Sequence, residues 1–142
     1  IFDKMPIIYG DERFEGVVVR YRQQINENAK ILCWHHVIPE MNHNEMVGWR
    51  DENPSLAVLF IDNNLDFKRN VQRREINEET IKKYTPNIHH IQSKGRNLIE
   101  QSFYHMFFGD LLSIYLAEKR GFEAMEIDVI NHLKSTLEKT SF

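Results

Sequence analysis

The chain has 142 residues, 42% hydrophobic and 27% charged, with a formal net charge of −3. That length supports one domain with a sizeable core, and the slightly acidic balance gives no general electrostatic reason to bind nucleic acid or an anionic membrane. No apolar run approaches the roughly 20 residues that span a bilayer, and the first residues lack the pattern of a signal peptide. Cys33 stands alone and makes no internal disulfide, which fits a reducing, cytoplasmic setting. The chain opens on Ile1 rather than Met and reads as a piece of a longer polypeptide.

In chain order, Met5 to Gly10 is a short apolar run closed by glycine, as in a buried strand. Phe14, Val17, Val18, Tyr21 and Ile25 then recur at helical spacing. Leu56 to Ile61 is apolar without alternation, which suits a strand covered on both faces of a parallel sheet. Asp66 is placed to cap the charged helix that follows, whose apolar positions (Phe67, Val71, Ile76, Ile81, Tyr84) leave a narrow or broken buried stripe. Ile88 to Ile91 is a third strand. Ser93 to Asn97 leads into a long helix, where Asn97 and Glu100 resemble a capping box.

Phe103, Met106, Phe107, Leu111, Ile114 and other large apolar side chains predict that this helix is buried on more than one side. Gly121 stops it, and Ile127, Ile130, Leu133 and Leu137 mark a final helix. Alternating strands and helices imply an α/β fold with a parallel sheet, as a single domain over residues 1–142.

Between the first two strands the chain spends far more residues than one crossover helix needs. The excess, Asn26 to Trp49, holds Glu27, three of the seven histidines, Cys33 and both tryptophans. Irregular connections of this length are often functional. Continued at about 100° per residue, the first helix turns Glu27 away from its own core stripe. His43 falls where a short turn or helix starts, and Val47 and Trp49 are expected to anchor the stretch on the core. Cys33 reads as packed rather than reactive. A metal site built from His35, His36, His43 and Glu45 finds no support in spacing, because adjacent histidines tend to point apart and no HExxH or Cys/His zinc pattern exists.

Asn26-Glu-Asn-Ala-Lys30, followed by His43-Asn-Glu-Met-Val-Gly-Trp49, resembles the C-terminal sugar isomerase (SIS) domain of the bifunctional phosphoglucose/phosphomannose isomerases. The similarity runs over nearly the whole chain, from Pro6-Ile-Ile-Tyr-Gly10 through Gln92-Ser-Lys-Gly95 to Ile130-Asn-His-Leu-Lys134. The resemblance implies a three-layer SIS-type fold, a parallel sheet flanked by helices, and a two-SIS-domain chain acting as a homodimer. It also implies isomerisation of a phosphorylated hexose, glucose 6-phosphate or mannose 6-phosphate, without metal or organic cofactor. By residue, it implies that Glu27 is the base that moves a proton between C2 and C1. His43 helps open the sugar ring from across the interface, and Lys134 is associated with ring opening.

Those roles are chemically reasonable. A partly shielded carboxylate gains basicity, histidine exchanges protons near neutral pH, and a cation stabilises a developing enediolate. The chain has no Ser/Thr-rich phosphate loop. In the family that task belongs mainly to the N-terminal domain, as does an arginine near the enediolate. The Ser93–Asn97 loop could hold an anion at a helix N-terminus, but a plain connection is the simpler reading. A non-catalytic phosphosugar-binding module is the alternative, and the joint presence of Glu27 and His43 argues against it.

Overall fold

Two apolar runs become the inner strands of a parallel sheet because both of their faces are covered. The computed structural model describes residues 1–140. It contains β1 (Met5–Asp11), β2 (Trp34–Ile38), β3 (Leu56–Ile61) and β4 (Ile88–Ile91), all parallel, in the order β2-β1-β3-β4. The helices are α1 (Glu15–Ala29), α2 (Lys68–Ile81), α3 (Leu98–Arg120) and α4 (Asp128–Glu138). Among the described residues, no helix is long and apolar enough to cross a membrane.

Side chains alternate along a strand, so the inner strands feed two cores. Ile8, Leu59 and Ile61 pack with Phe14, Val17, Val18, Tyr21 and Ile25 under α1 and α3. Ile7, Tyr9, Val58 and Phe60 pack on the opposite face with Met41, Trp49 and Ile81 of α2. The architecture is therefore the three-layer α/β sandwich expected from the sequence. Gly10 lets α1 pack closely on β1, since a Cβ there would lie 3.0 Å from Val18 Cγ2.

The long connection, irregular by its sequence pattern, is corrected by the structure. Trp34–Ile38 is a strand at the sheet edge, pairing Ile8 with His35 and Tyr9 with His36. The sheet thus has four strands rather than three. The edge strand is hidden in the sequence because it is short and its centre, His35-His36, carries no apolar alternation. Two short 3-10 turns, Glu40–His43 and Glu45–Gly48, complete the return to β3. Trp49 is buried as expected, whereas Val47 is exposed.

The helix ends mostly follow their local chemistry. Asn97 Oδ1 accepts from Glu100 N at 2.9 Å at the start of α3, and Gly121 ends it in the left-handed conformation with φ 73°. Asp66 does not cap α2; Phe67 takes that position, and Asp66 Oδ1 accepts from Phe67 N at 2.8 Å instead.

The orientation of α3 is the larger correction. Its buried positions are Gln101, His105, Gly109, Ser113, Leu116 and Ala117, while Phe103 and Phe107 are 68% and 66% exposed. The inward face is largely small or polar where α3 lies close on α1 and Gly109 sits against the Tyr21 ring, with Leu116 buried and Leu98, Met106 and Leu112 packing partly on the core. Its buried polar groups are partnered: His105 Nε2 lies 2.7 Å from Ser93 Oγ and 3.2 Å from the Asp62 carbonyl. Burial also lowers the His105 pKa, which favours the neutral ring. The α4 helix forms where expected, with no buried residue.

Candidate functional site

The Asn26–Lys30 segment is the last turn of α1, and each of its residues has a separate environment. Ala29 is buried in the core, and Asn28 Nδ2 donates to Gln24 Oε1 and to Ser113 Oγ of α3, both at 2.9 Å. With these two facing inward, Asn26 and Glu27 are exposed, as the helical periodicity requires. Lys30 is the left-handed C-cap, with φ 56°.

Its Nζ donates to the carbonyls of Glu27 (2.6 Å), Glu126 (2.5 Å) and Ala124 (3.4 Å). Lys30 thereby joins the end of α1 to the connection between α3 and α4. The two segments border a cleft of about 300 Å³ lined by Glu27, Asn26, Ile31, Glu126, Ile127 and Ile130, among others. The Glu27 carboxylate stands on one wall, and the facing wall is apolar apart from Glu126.

The cleft's position is unusual for an open α/β sheet. Ligands generally bind outside the carboxyl ends of the strands, where the chain order reverses. Here that place, between the ends of β1 and β3, is filled by ion pairs. Arg13 Nε lies 2.7 Å from Asp11 Oδ1, and Arg74 Nη1 lies 3.3 Å from Asp62 Oδ1 and 3.8 Å from Asp66 Oδ2. His90 bridges Asp62 (3.0 Å) and Glu78 (3.2 Å). Four carboxylates, paired with Arg13, Arg74 and His90, occupy the place an open α/β sheet would otherwise offer an anion.

The start of α3 is occupied as well. Glu100 Oε2 accepts from Arg96 N at 2.8 Å, so a carboxylate already holds the place of an anion. Ser93–Asn97 is accordingly a plain connection. The Glu27 cleft lies at the opposite end of the sheet. The α1 helix leaves the end of β1 and finishes before β2 begins, so its last turn lies where the strands start.

His43 is exposed at the end of the first 3-10 turn. That turn packs through Met41 on the α2 face of the sheet, whereas Glu27 belongs to the α1 face. The cleft lining includes Glu27 but neither His43 nor Lys134. Lys134 is exposed on α4, one helical turn beyond Ile130 of the cleft wall. Within one chain, then, Lys134 lies on the helix bordering the Glu27 cleft, and His43 is separated from it by the sheet.

Glu45 fixes the segment that carries His43. Its carboxylate accepts from Trp34 Nε1 at 2.9 Å and from the Tyr9 hydroxyl, while Trp49 Nε1 donates to that hydroxyl at 3.1 Å. Burial and the Glu45 charge both raise the Tyr9 pKa, which keeps it a donor. His35 and His36 alternate across β2, and His36 Nδ1 accepts from Val37 N at 2.8 Å. Among the described residues, no group of three His, Cys, Asp or Glu could hold a metal ion. Cys33 is buried, and burial pushes its thiol up to about 12, as befits a packed rather than reactive residue.

Sequence reasoning gives no role to Lys30, Asn28 or Glu45. All three act through contacts remote in sequence. The one local signal is the absence of glycine after Ala29, at a helix end that nonetheless adopts the left-handed cap.

Comparison with known proteins bears on the family and the fold. The family described as the bacterial phospho-glucose isomerase C-terminal SIS domain matches residues 1–137. A bifunctional phosphoglucose/phosphomannose isomerase of Thermoplasma volcanium is 31% identical over 136 residues, covering 95% of this chain and 43% of the relative. One from Aquifex aeolicus is 27% identical, covering 98% and 44%. The chain spans less than half the length of these curated relatives. A crystal structure of a glucose-6-phosphate isomerase-like protein from Thermus thermophilus shares the fold, with a TM-score of 0.72 and 16% identity over 88% of this chain and 42% of the other.

Proposed function

Because the chain belongs to the family of bacterial phosphoglucose isomerase C-terminal SIS domains, we propose that it is the C-terminal half of a two-SIS-domain isomerase. The reaction is the interconversion of aldose and ketose hexose 6-phosphates. The observation that carries this reading is the placement of Glu27: exposed, in a cleft at the strand-start end of the sheet, while the domain's own crevice is filled by ion pairs. Such a domain offers a carboxylate to a substrate whose phosphate is bound elsewhere.

In the opened sugar, Glu27 removes the proton from C2 as the C1 carbonyl oxygen takes up negative charge, giving a cis-enediolate, and the C2 hydroxyl proton then passes to that oxygen. The same carboxyl returns the proton to C1 as the C2 carbonyl forms. The enediol has lost the configuration at C2, so glucose 6-phosphate and mannose 6-phosphate converge on it, and both are substrates of this reading. Lys134, on the helix bordering the cleft, stabilises the enediolate and assists ring opening. His43 delivers a proton to the ring oxygen in the site of the partner subunit, which accounts for its separation from Glu27 in one chain.

The N-terminal SIS domain covers the exposed apolar face of α3 and supplies the phosphate loop. The test is an isomerase assay of the full-length protein with each aldose phosphate. Glu27→Gln is expected to lower kcat by about 10²- to 10⁴-fold with the fold intact. An unchanged rate would remove Glu27 as the base.

A further inference from the structure

The cleft at Glu27 has one well-held wall and one loosely held wall. Glu27 stands on α1, which Ala29 and the Asn28–Ser113 hydrogen bond fix to the core. The opposite wall, Glu126 to Ile130, leads into α4, a helix with no buried residue. Its apolar side chains are all exposed, Val129 at 83%, including those that line the cleft. The core therefore does little to set where α4 lies, and something else must fix the width of the cleft.

Lys30 is placed to do so. The last carbonyls of a helix lack intrahelical partners and carry the negative end of its dipole, so an ammonium there is favoured. Lys30 adopts the left-handed cap and folds its side chain back, placing Nζ at 2.6 Å from Glu27 O. The same ammonium donates to the carbonyls of Glu126 and Ala124 across the cleft. Three donors meet three acceptors. The Glu126 carboxylate, 4.0 Å away, adds charge attraction from the same segment. One side chain thus holds the peptide of Glu27 itself to the segment on the far side.

We propose that Lys30 is a positioning residue of the isomerase: its ammonium latches the α3–α4 connection to the end of α1, and so fixes α4, with Lys134, relative to the Glu27 carboxylate. This inference rests on the reading of Glu27 as the catalytic base. It assigns Lys30 no contact with substrate. The consequence falls on the proton-transfer step, because a displacement of about 1 Å between base and enediolate-stabilising groups is costly to rate.

The experiment uses the full-length protein and three variants. Lys30→Met keeps the stem and removes the ammonium. Lys30→Gly removes it too but relieves the left-handed backbone, which separates loss of the latch from loss of folding. Lys30→Arg restores a cationic donor. Methionine and glycine are expected to speed amide exchange over residues 122–131 by about tenfold or more, with exchange in β1 and β3 unchanged.

In the same two variants kcat should fall on the order of 10- to 100-fold, with KM changing less than about threefold. Arginine should recover part of both effects. Unaltered exchange over 122–131 in Lys30→Met would overturn the latch, and faster exchange with full kcat would overturn the positioning role. Exchange rising equally throughout β1 and β3 would also overturn it, as plain destabilisation. Failure of the base reading is seen separately in Glu27→Gln, whereas the exchange measurement reports on the latch whatever the base is.

Discussion

Arg13 lies between two carboxylates, with Nε 2.7 Å from Asp11 Oδ1 and Nη2 3.3 Å from Asp66 Oδ1, and the pair behaves unequally. Burial alone would raise Asp11, but hydrogen bonds with Arg13, Asp66 and Asn70 outweigh it and hold Asp11 below the usual carboxylate range. Burial and then the neighbouring Asp11 push Asp66 up to about 6, against the smaller opposing effects of the Phe67 N–H and Arg74. A carboxyl with a raised folded pKa binds its proton more tightly folded than unfolded. Its stabilising contribution is complete below the unfolded value near 3.8 and is lost as pH rises through about 6. Lowering the pH from 8 to 5 should therefore favour the wild type over Asp66→Asn by about 1 kcal/mol, read as a changing difference between their urea midpoints. A constant difference would mean that Asp66 ionises like an exposed aspartate. The acidity of this crevice also bears on function, since it is the place an open α/β sheet would otherwise use for an anion.

The α1 and α3 helices show why one helix is readable in the sequence and the other is not. In α1 the apolar stripe and the buried stripe coincide: Val17, Val18, Tyr21 and Ile25 point into the core, and the exposure of Glu27 follows from the same period. In α3 the apolar stripe is real, but the core takes only part of it (Leu98, Met106, Leu112 and Leu116) and leaves Phe103, Phe107, Leu111 and Ile114 exposed. Periodicity marks a face that will be covered and does not say by what. What α1 requires of α3 is close approach, and Gly109 provides it. A Cβ there would lie 2.9 Å from Tyr21 Cε2, on a ring that is fully buried and has little room to move. Gly109→Ala gains about 1 kcal/mol of helix propensity but overpacks the interface at a cost of about 1–3 kcal/mol. The clash should win, lowering unfolding stability by roughly 1 kcal/mol in urea titrations of the domain. A more stable variant would show that α3 can shift away from α1. The edge strand is hard to read for a related reason: β2 is held by pairing with β1, and its residues need no apolar alternation to form it.

At the scale of the whole molecule, the cleft, the filled crevice and the bare helices have a common explanation. Glu27 and His43 stand out in the sequence through the family resemblance, but their separation by the sheet does not, because it depends on which face each segment packs against. A domain that presents its carboxylate outward and leaves Phe103, Phe107, Leu111 and Ile114 along one exposed stripe is incomplete by its own packing. Large exposed apolar patches mark interaction surfaces, and burying one phenylalanine side chain is worth about 1.5–3 kcal/mol. In the proposed two-domain protein, that stripe meets the N-terminal SIS domain. The double substitution Phe103→Glu with Phe107→Glu separates the two settings. In the isolated domain it should change unfolding stability by less than about 0.5 kcal/mol, because both side chains already face solvent. In the full-length protein it should lower the thermal midpoint and the isomerase rate together, since two charges would be forced into the domain interface and Glu27 would lose its alignment with the bound phosphosugar. Full stability and activity in the long protein would place the N-terminal domain on another face of this one, whereas a loss already present in the isolated domain would mean that the stripe belongs to the domain's own core.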